Sequence, residues 1–493
     1  MGPGKSMLNV HVRINDNATG QPTPARIRIS DAAGTTYAPL GLTPEFPKGR
    51  NEDVGGRVLL GTDRWFYIDG SCEVPLPSGI PLQVEVWKGP EFTPLRETLT
   101  LGQGQMAIRL SLTRRFDWRK EGWIAGDPRC HFISPHAALL EARAEGLPVV
   151  ELLALETPFL GQDGLTYRIT PHLTAFSGQQ PLLDRDGHII AVNTMNRHPI
   201  LGSLALLHCH RPVFPLTFGG ADATDDWSLA DWCDQCHRKR GLVVWVDPFR
   251  ADDLVPDEAL SDLVLGRIDA IEVAPTSIRP KDWYRAWNAG LRFALVGASG
   301  KDSNRVCLGA MRTYARLSDA ATFSLSEWIE GIRLGRTSAS TGPLLELEAG
   351  GKTMGSTLDL SEVGVEVPVR VRIRGALQGS VEIIVNGAVC ERRHLSSDDE
   401  EMEFTRVWNE PGWIAARFVD ARIQGQFAHT SPVYVTIRGQ PRQDPVARQW
   451  LRQNVERTLE WVTTTGRFEK PRRREQLVEI LRQALDWLTP EGR

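Results

Sequence analysis

The chain has 493 residues, 41% of them hydrophobic and 24% charged, with a formal net charge of −4. That length exceeds what one hydrophobic core usually serves, so several domains are expected. The charge balance offers no basic excess for nucleic acid, and no apolar run approaches the ~20 residues that a bilayer requires. Residues 1–7 lack the apolar stretch of a secretory signal, and the 7 cysteines are odd in number and scattered. The expectation is a cytoplasmic protein with reduced thiols, no membrane contact and no nucleic-acid partner; a homo-oligomer stays open.

Residues 1–117 carry alternating segments, Asn9–Ile14, Ala25–Ile29, Leu82–Val86 and Ala107–Leu112, separated by Gly, Pro and Asn clusters. Period-two alternation predicts half-buried antiparallel strands. We read an immunoglobulin-like β-sandwich with a long irregular insertion around Thr36 to Arg64.

Over residues 118–349 strands alternate with helices. A strand through Trp123-Ile-Ala-Gly ends at Asp127, a polar loop follows, and a helix starts after Ser134 as N-cap and Pro135 at the first position, stopping at Gly146. Leu147–Leu155 is the next strand. Ser228 and Asp231 have capping-box spacing, and Leu242–Val246 leads to Asp247. Ile268–Val273, a helix over Asp282–Ala289, Phe293–Val296 and a helix from Ser324 to Leu334 complete the series. Such alternation predicts a mainly parallel sheet or barrel, with its site at the carboxyl ends of the strands. Asp127, Glu156, Asp247 and Asp302 are all expected just beyond apolar strands. Residues 350–439 return to alternation, with an Asn386-Gly387 hairpin signal, and read as a second β-sandwich. Residues 440–493 read as a helical hairpin whose apolar stripes (Leu451, Val455, Leu459; Leu477, Leu481, Leu488) pack onto the body.

Several motifs compete as sites. Cys233-Asp-Gln-Cys236-His237 has haem-attachment spacing, but both sulfurs fall on an apolar helix face. His208 and His210 share one side of a strand end and suit a metal pair, or simply two hydrogen-bonded histidines. The Gly297–Asn304 loop lacks P-loop spacing. Cys130 as a nucleophile needs a base within reach. The sharpest cluster is Asp127, Arg129 and His131.

The order of these motifs resembles the PHP (polymerase and histidinol phosphatase) superfamily, and within it the CehA/McbA-type metallohydrolases. The residues that carry the likeness are Gly126-Asp-Pro-Arg-Cys-His131, Asp247-Pro248, Gly300-Lys-Asp-Ser-Asn304, Trp283–Leu291 and Gly335–Leu344. The resemblance implies α/β plus all-β architecture: a distorted (β/α)7 PHP-like barrel flanked by two β-sandwiches, with a C-terminal helical pair. It also implies a metal centre, yet the ligand set departs from the family pattern. Arg129 stands at a histidine position, Asp247 replaces the His-Pro histidine, Asn304 replaces the last histidine, and the central segment reads Met195-Asn-Arg197 and Gly202-Ser-Leu204.

A guanidinium ~4 Å from a divalent ion, at an effective dielectric of ~20, is repelled by roughly 8 kcal/mol. That is a large share of the ~10–16 kcal/mol a complete structural zinc site supplies. Two readings stay open. In one, a single divalent ion (Mn, Fe, Mg or Zn) sits on His131, Asp247 and Asp302, with Asp127, Arg129 and Lys301 in catalytic roles, and hydrolyses an ester, amide, carbamate or phosphoester. In the other no metal is bound: Arg129 pairs with Asp127, Asp247 or Asp302, and the fold is catalytically silent, binding a saccharide or other small molecule, an anionic ligand or a protein partner.

Overall fold

The computed structural model describes residues 7–45, 53–160, 164–220, 223–250, 256–319, 323–376, 378–420, 422 and 425–489. Residues 46–52, part of the expected insertion, lie outside them. The fold is mixed α/β, with strands in several sheets and, among the described residues, 7 α-helices. No helix among these residues is long and apolar enough to cross a membrane.

In the N-terminal region a sheet of Ser71–Pro77, Met7–Asp16 and Ala107–Leu112 and a second of Arg57–Leu60, Asp63–Ile68, Ala25–Asp31, Pro81–Trp87 and Leu95–Thr100 share one apolar core. The alternation seen in the sequence is the alternation of burial: Val10, Val12 and Ile14 point inward, and His11 and Arg13 do not. The insertion is more regular than expected, because Arg57–Leu60 pairs antiparallel with Asp63–Ile68.

The central sheet runs in the order Ala294–Gly297, Ala270–Val273, Leu242–Val246, Gly202–Leu207, His188–His198, Val149–Ala154, Trp123–Cys130, Arg312–Arg316, Thr337–Ser340. It is less parallel than the sequence suggested. Parallel pairs occur on both flanks, but Gly202–Leu207 is antiparallel to both its neighbours, and Arg312–Arg316 is antiparallel to Trp123–Cys130. The edge strand Ala294–Gly297 is met by hydroxyls: Thr313 Oγ1 donates to Gly297 O and Thr337 Oγ1 to Leu295 O, both at 2.8 Å, while Leu295 N donates to Ser431 Oγ at 2.9 Å. The sheet therefore curls back on itself, and side chains satisfy an edge that would otherwise be open. Gly297 permits the approach, since a Cβ there would lie 2.3 Å from Arg312 O. Trp328, fully buried on the Leu325–Arg333 helix, packs with Ile124, Leu153, Val244 and Ala294 on one face of this sheet.

Backbone pairing continues past position 349, because Thr337–Ser340 is antiparallel to Phe427–Thr430, which pairs with Gly412–Val419. The C-terminal helices, Pro445–Thr464 and Pro471–Leu488, bury Leu451, Val455, Leu477 and Leu481 against a core that includes Trp287 and Leu260. Each such leucine contributes ~1.5–3 kcal/mol.

The N-terminal sheets are joined to the central one by buried charge. Arg26 lies 2.8 Å from Glu145 of the Pro135–Glu145 helix, and Glu145 also accepts from Tyr67 Oη (2.8 Å) and Trp87 Nε1 (3.1 Å). Breaking a buried pair by removing one partner costs about 3–5 kcal/mol. Glu145→Gln should therefore lower the denaturation midpoint, and adding Arg26→Met should restore part of the loss. A midpoint unmoved by Glu145→Gln would show that the pair does not hold the regions together.

Candidate functional site

The site is assembled where the parallel strands end. Trp123–Cys130 runs three residues further than the sequence suggested, so Asp127 lies within the strand and is fully buried. Its carboxylate accepts from the backbone amides of Gly309 (2.8 Å), Ser299 (3.1 Å) and Arg129 (3.3 Å). Burial pushes its pKa up, and these donors oppose the shift. Asp127 stitches the strand to the loop after Ala294–Gly297 and does not reach the cavity, which removes it from the catalytic set.

Arg129 makes a two-pronged pair that sequence reasoning missed. Its Nε donates to Glu272 Oε2 at 2.6 Å and its Nη2 to Glu272 Oε1 at 2.8 Å. Glu272, on Ala270–Val273, is 1% exposed. The expected partners Asp127, Asp247 and Asp302 are thus replaced by a residue from another strand. Burial works to lower the Arg129 pKa and is outweighed, Glu272 first, then Asp247 and Asp127. Gly300, at φ +64°, lets its loop lie against the guanidinium, since a Cβ would stand 2.7 Å from Nη2. The available signal was a carboxylate flanked by apolar Ile271 and Val273 within the run Ile268–Val273, which burial obliges to find a partner.

His131 is 3% exposed, and its Nδ1 lies 3.1 Å from Leu153 O. A carbonyl only accepts, so Nδ1 carries the hydrogen and Nε2 presents a lone pair. Nε2 is buried without a hydrogen-bond partner. Burial first, then the charge of Arg129, pushes the His131 pKa down to about 3, so the ring is neutral.

Lys301 does not face the cavity either. It is fully buried, donating to Val306 O (2.9 Å) and Ser303 O (3.3 Å), with Glu141 Oε2 3.4 Å away. A role at a reacting oxyanion is therefore withdrawn. Asn304 holds residues of the N-terminal insertion, accepting from Gly55 N and donating to Asp53 O, both at 2.8 Å. Asp247 and Asp302 are exposed, and neither has a hydrogen-bond or ion-pair partner among the described residues.

A cavity of about 290 Å³ brings Arg129, His131, Asp247 and Asp302 together with Arg197, Ser203, Phe132 and Trp245. Among the described residues, no three His, Cys, Asp or Glu side chains group closely enough to hold a metal ion. The expected ligands His131, Asp247 and Asp302 line the same cavity without forming such a group. A larger cleft of about 550 Å³ between the Leu229–Arg238 and Pro471–Leu488 helices is lined by groups such as Asp231 and Arg473, which pair with each other at 3.3 Å. We therefore place the candidate site at the smaller cavity.

No family model matches this chain. No curated protein matches it either. An engineered protein of known crystal structure is 15% identical over 34% of this chain and 49% of its own, with a TM-score of 0.14, which carries no argument about fold or function.

The remaining motifs resolve as structural groups. His208 Nε2 lies 3.1 Å from Ser326 Oγ and His210 Nδ1 3.1 Å from Lys239 O, so the two imidazoles have separate partners. Cys233 and Cys236 are buried on the apolar face of their helix. Burial also drives the Cys130 thiol pKa well up, against its use as a nucleophile.

The lowered His131 pKa has a consequence for stability. The unfolded ring, near 6.5, takes a proton before the folded ring does, so stability is complete above about pH 6.5 and is lost as pH falls toward 3. Each group of this kind sets a limiting slope of about 1.4 kcal/mol per pH unit. His131→Gln should flatten the acid limb of the denaturation-midpoint profile relative to the parent. The comparison cancels buried Glu151 and Glu258, whose pKa values rise to about 8 in both proteins. Parallel profiles would show that His131 takes up its proton in the folded state.

Proposed function

We propose that this chain is a metal-independent binding protein built on a PHP-like architecture, with its ligand site at the mouth of the curled sheet. In this reading the central strands form the distorted (β/α) barrel, and the two-sheet regions on either side are its β-sandwich flanks. The order of the Asp127–His131, Asp247-Pro248 and Gly300–Asn304 loops supports that assignment, as does their convergence on one cavity.

One observation carries the functional half: the two-pronged Arg129–Glu272 pair. A divalent ion ~4 Å from the guanidinium would be repelled by roughly 8 kcal/mol. Swinging Arg129 aside instead would avoid that repulsion but take the counter-charge from buried Glu272, at a cost of about 3–5 kcal/mol. The two costs are alternatives, and the first is a large share of the ~10–16 kcal/mol of a full structural metal site. The protein's own cation therefore stands in for a bound one, and a binding surface remains.

The alternative, a metal-dependent hydrolase of esters, amides, carbamates or phosphoesters, draws support from the presence of His131, Asp247 and Asp302 around one cavity. Elemental analysis separates the two. Protein purified without chelator should carry well under one equivalent of Mn, Fe, Zn or Mg and should hydrolyse none of these bond classes when metal is added. Stoichiometric metal that His131→Ala removes, together with hydrolysis, would establish the hydrolase instead.

A further inference from the structure

We propose that Cys209 and Cys236 are a disulfide-forming pair, which the chain closes as it folds in the presence of a disulfide oxidant such as oxidised glutathione. The inference is independent of the ligand-binding reading above.

Geometry selects the pair. The two sulfurs lie 3.3 Å apart, between residues 27 positions apart in the chain. Cys209 follows the Gly202–Leu207 strand, and Cys236 sits in the last turn of the Leu229–Arg238 helix. Bonded sulfurs stand about 2.05 Å apart, so only roughly 1.2 Å remains to be closed. Both sulfurs are lodged over Gly241, where a Cβ would stand 2.4 Å from Cys209 Sγ and 2.5 Å from Cys236 Sγ. Gly241 N donates to Cys236 O at 2.9 Å and so holds the helix end against this point. Cys233, one turn earlier and with Cys-x-x-Cys spacing, is reached instead by the charges of Asp262 and Glu258.

Access decides when the bond forms. Cys209 is 1% exposed and Cys236 fully buried, so an oxidant does not reach either sulfur in the finished fold. Burial also pushes the Cys236 thiol well up, away from the thiolate that attacks a disulfide. The reaction therefore belongs to the folding chain, while both thiols are still in water. One cysteine thiolate attacks oxidised glutathione, forming a mixed disulfide and releasing a glutathione thiolate, which takes up a proton. The second thiolate attacks the protein sulfur of that mixed disulfide and releases the other glutathione. Two protein thiols are oxidised, and one glutathione disulfide is reduced to two thiols.

The link lies away from the candidate cavity. Leu207 pairs with Leu242 at the start of the Leu242–Val246 strand, whereas the cavity residues Ser203 and Val246 pair at its end. The bond would tie strand to helix at the opposite end of the sheet and leave the ligand site untouched.

The test is cell-free synthesis of the full chain in mixed oxidised and reduced glutathione, beside a sample made in dithiothreitol. Free thiols are blocked with N-ethylmaleimide in denaturant, and unreduced peptides are mapped by mass spectrometry. A Cys209–Cys236 cross-link, two hydrogens lighter than its separate peptides, should dominate in the glutathione sample. Dithiothreitol should leave it intact in the folded protein and open it in denaturant. The Cys209→Ala chain should lose it without gaining a Cys233–Cys236 link. Absence of the cross-link, glutathione left attached at either position, or links spread over other cysteines would overturn the pairing. A link that dithiothreitol opens as readily in the folded protein as in denaturant would overturn its formation ahead of burial.

Discussion

A buried guanidinium held by two hydrogen bonds to a buried carboxylate, Arg129 to Glu272, organises the candidate site. Neither charge could be buried alone, because removing one partner leaves the other without compensation. The pair ties the end of Trp123–Cys130 to Ala270–Val273, strands far apart in the order of the central sheet. It also sets the field felt by its neighbours. Arg129 helps keep His131 neutral, and the ring's Nε2 is buried without a hydrogen-bond partner.

Behind this pair lies a second layer of buried charge outside the lining of the candidate cavity. Glu141 sits beside Lys301 and accepts from Gly56 N, while Glu145 holds Arg26, Tyr67 and Trp87. Glu141 and Glu145 are one helical turn apart on Pro135–Glu145, so one helix face clamps both the Gly300–Asn304 loop and the N-terminal sheets. Lys301, attractive in sequence as a charged loop residue, is spent on this structural task. Asn304, at the position of a missing histidine, serves the same end by holding Asp53 and Gly55.

Local features were legible in the sequence because their causes are local. Ser134 accepts from Ala137 N, Ser228 and Asp231 complete a capping box, Ser324 accepts from Glu327 N, and Asp444 accepts from Ala447 N ahead of its helix. The apolar stripes of the final helices pack onto the body because a surface that apolar must be covered. The clustering of Arg129, His131, Asp247 and Asp302 at one cavity also followed from strand order, since loops at one end of a curled sheet must meet. Strand direction was less legible. The antiparallel placement of Gly202–Leu207 depends on pairing, and a buried strand has the same composition in either direction.

Sequence alone thus determined the element types, the helix caps and the short set of residues from which a site had to be drawn, because hydrophobic period and capping act within a few positions. Tertiary structure decided which of those residues face the cavity and which charges cancel. Asp127 turned to backbone amides, Lys301 to Glu141, and Arg129 to a carboxylate 143 positions away. Those choices follow from desolvation: every buried charge must find a counter-charge or a donor set in space, and nothing in local sequence says which distant residue will supply it.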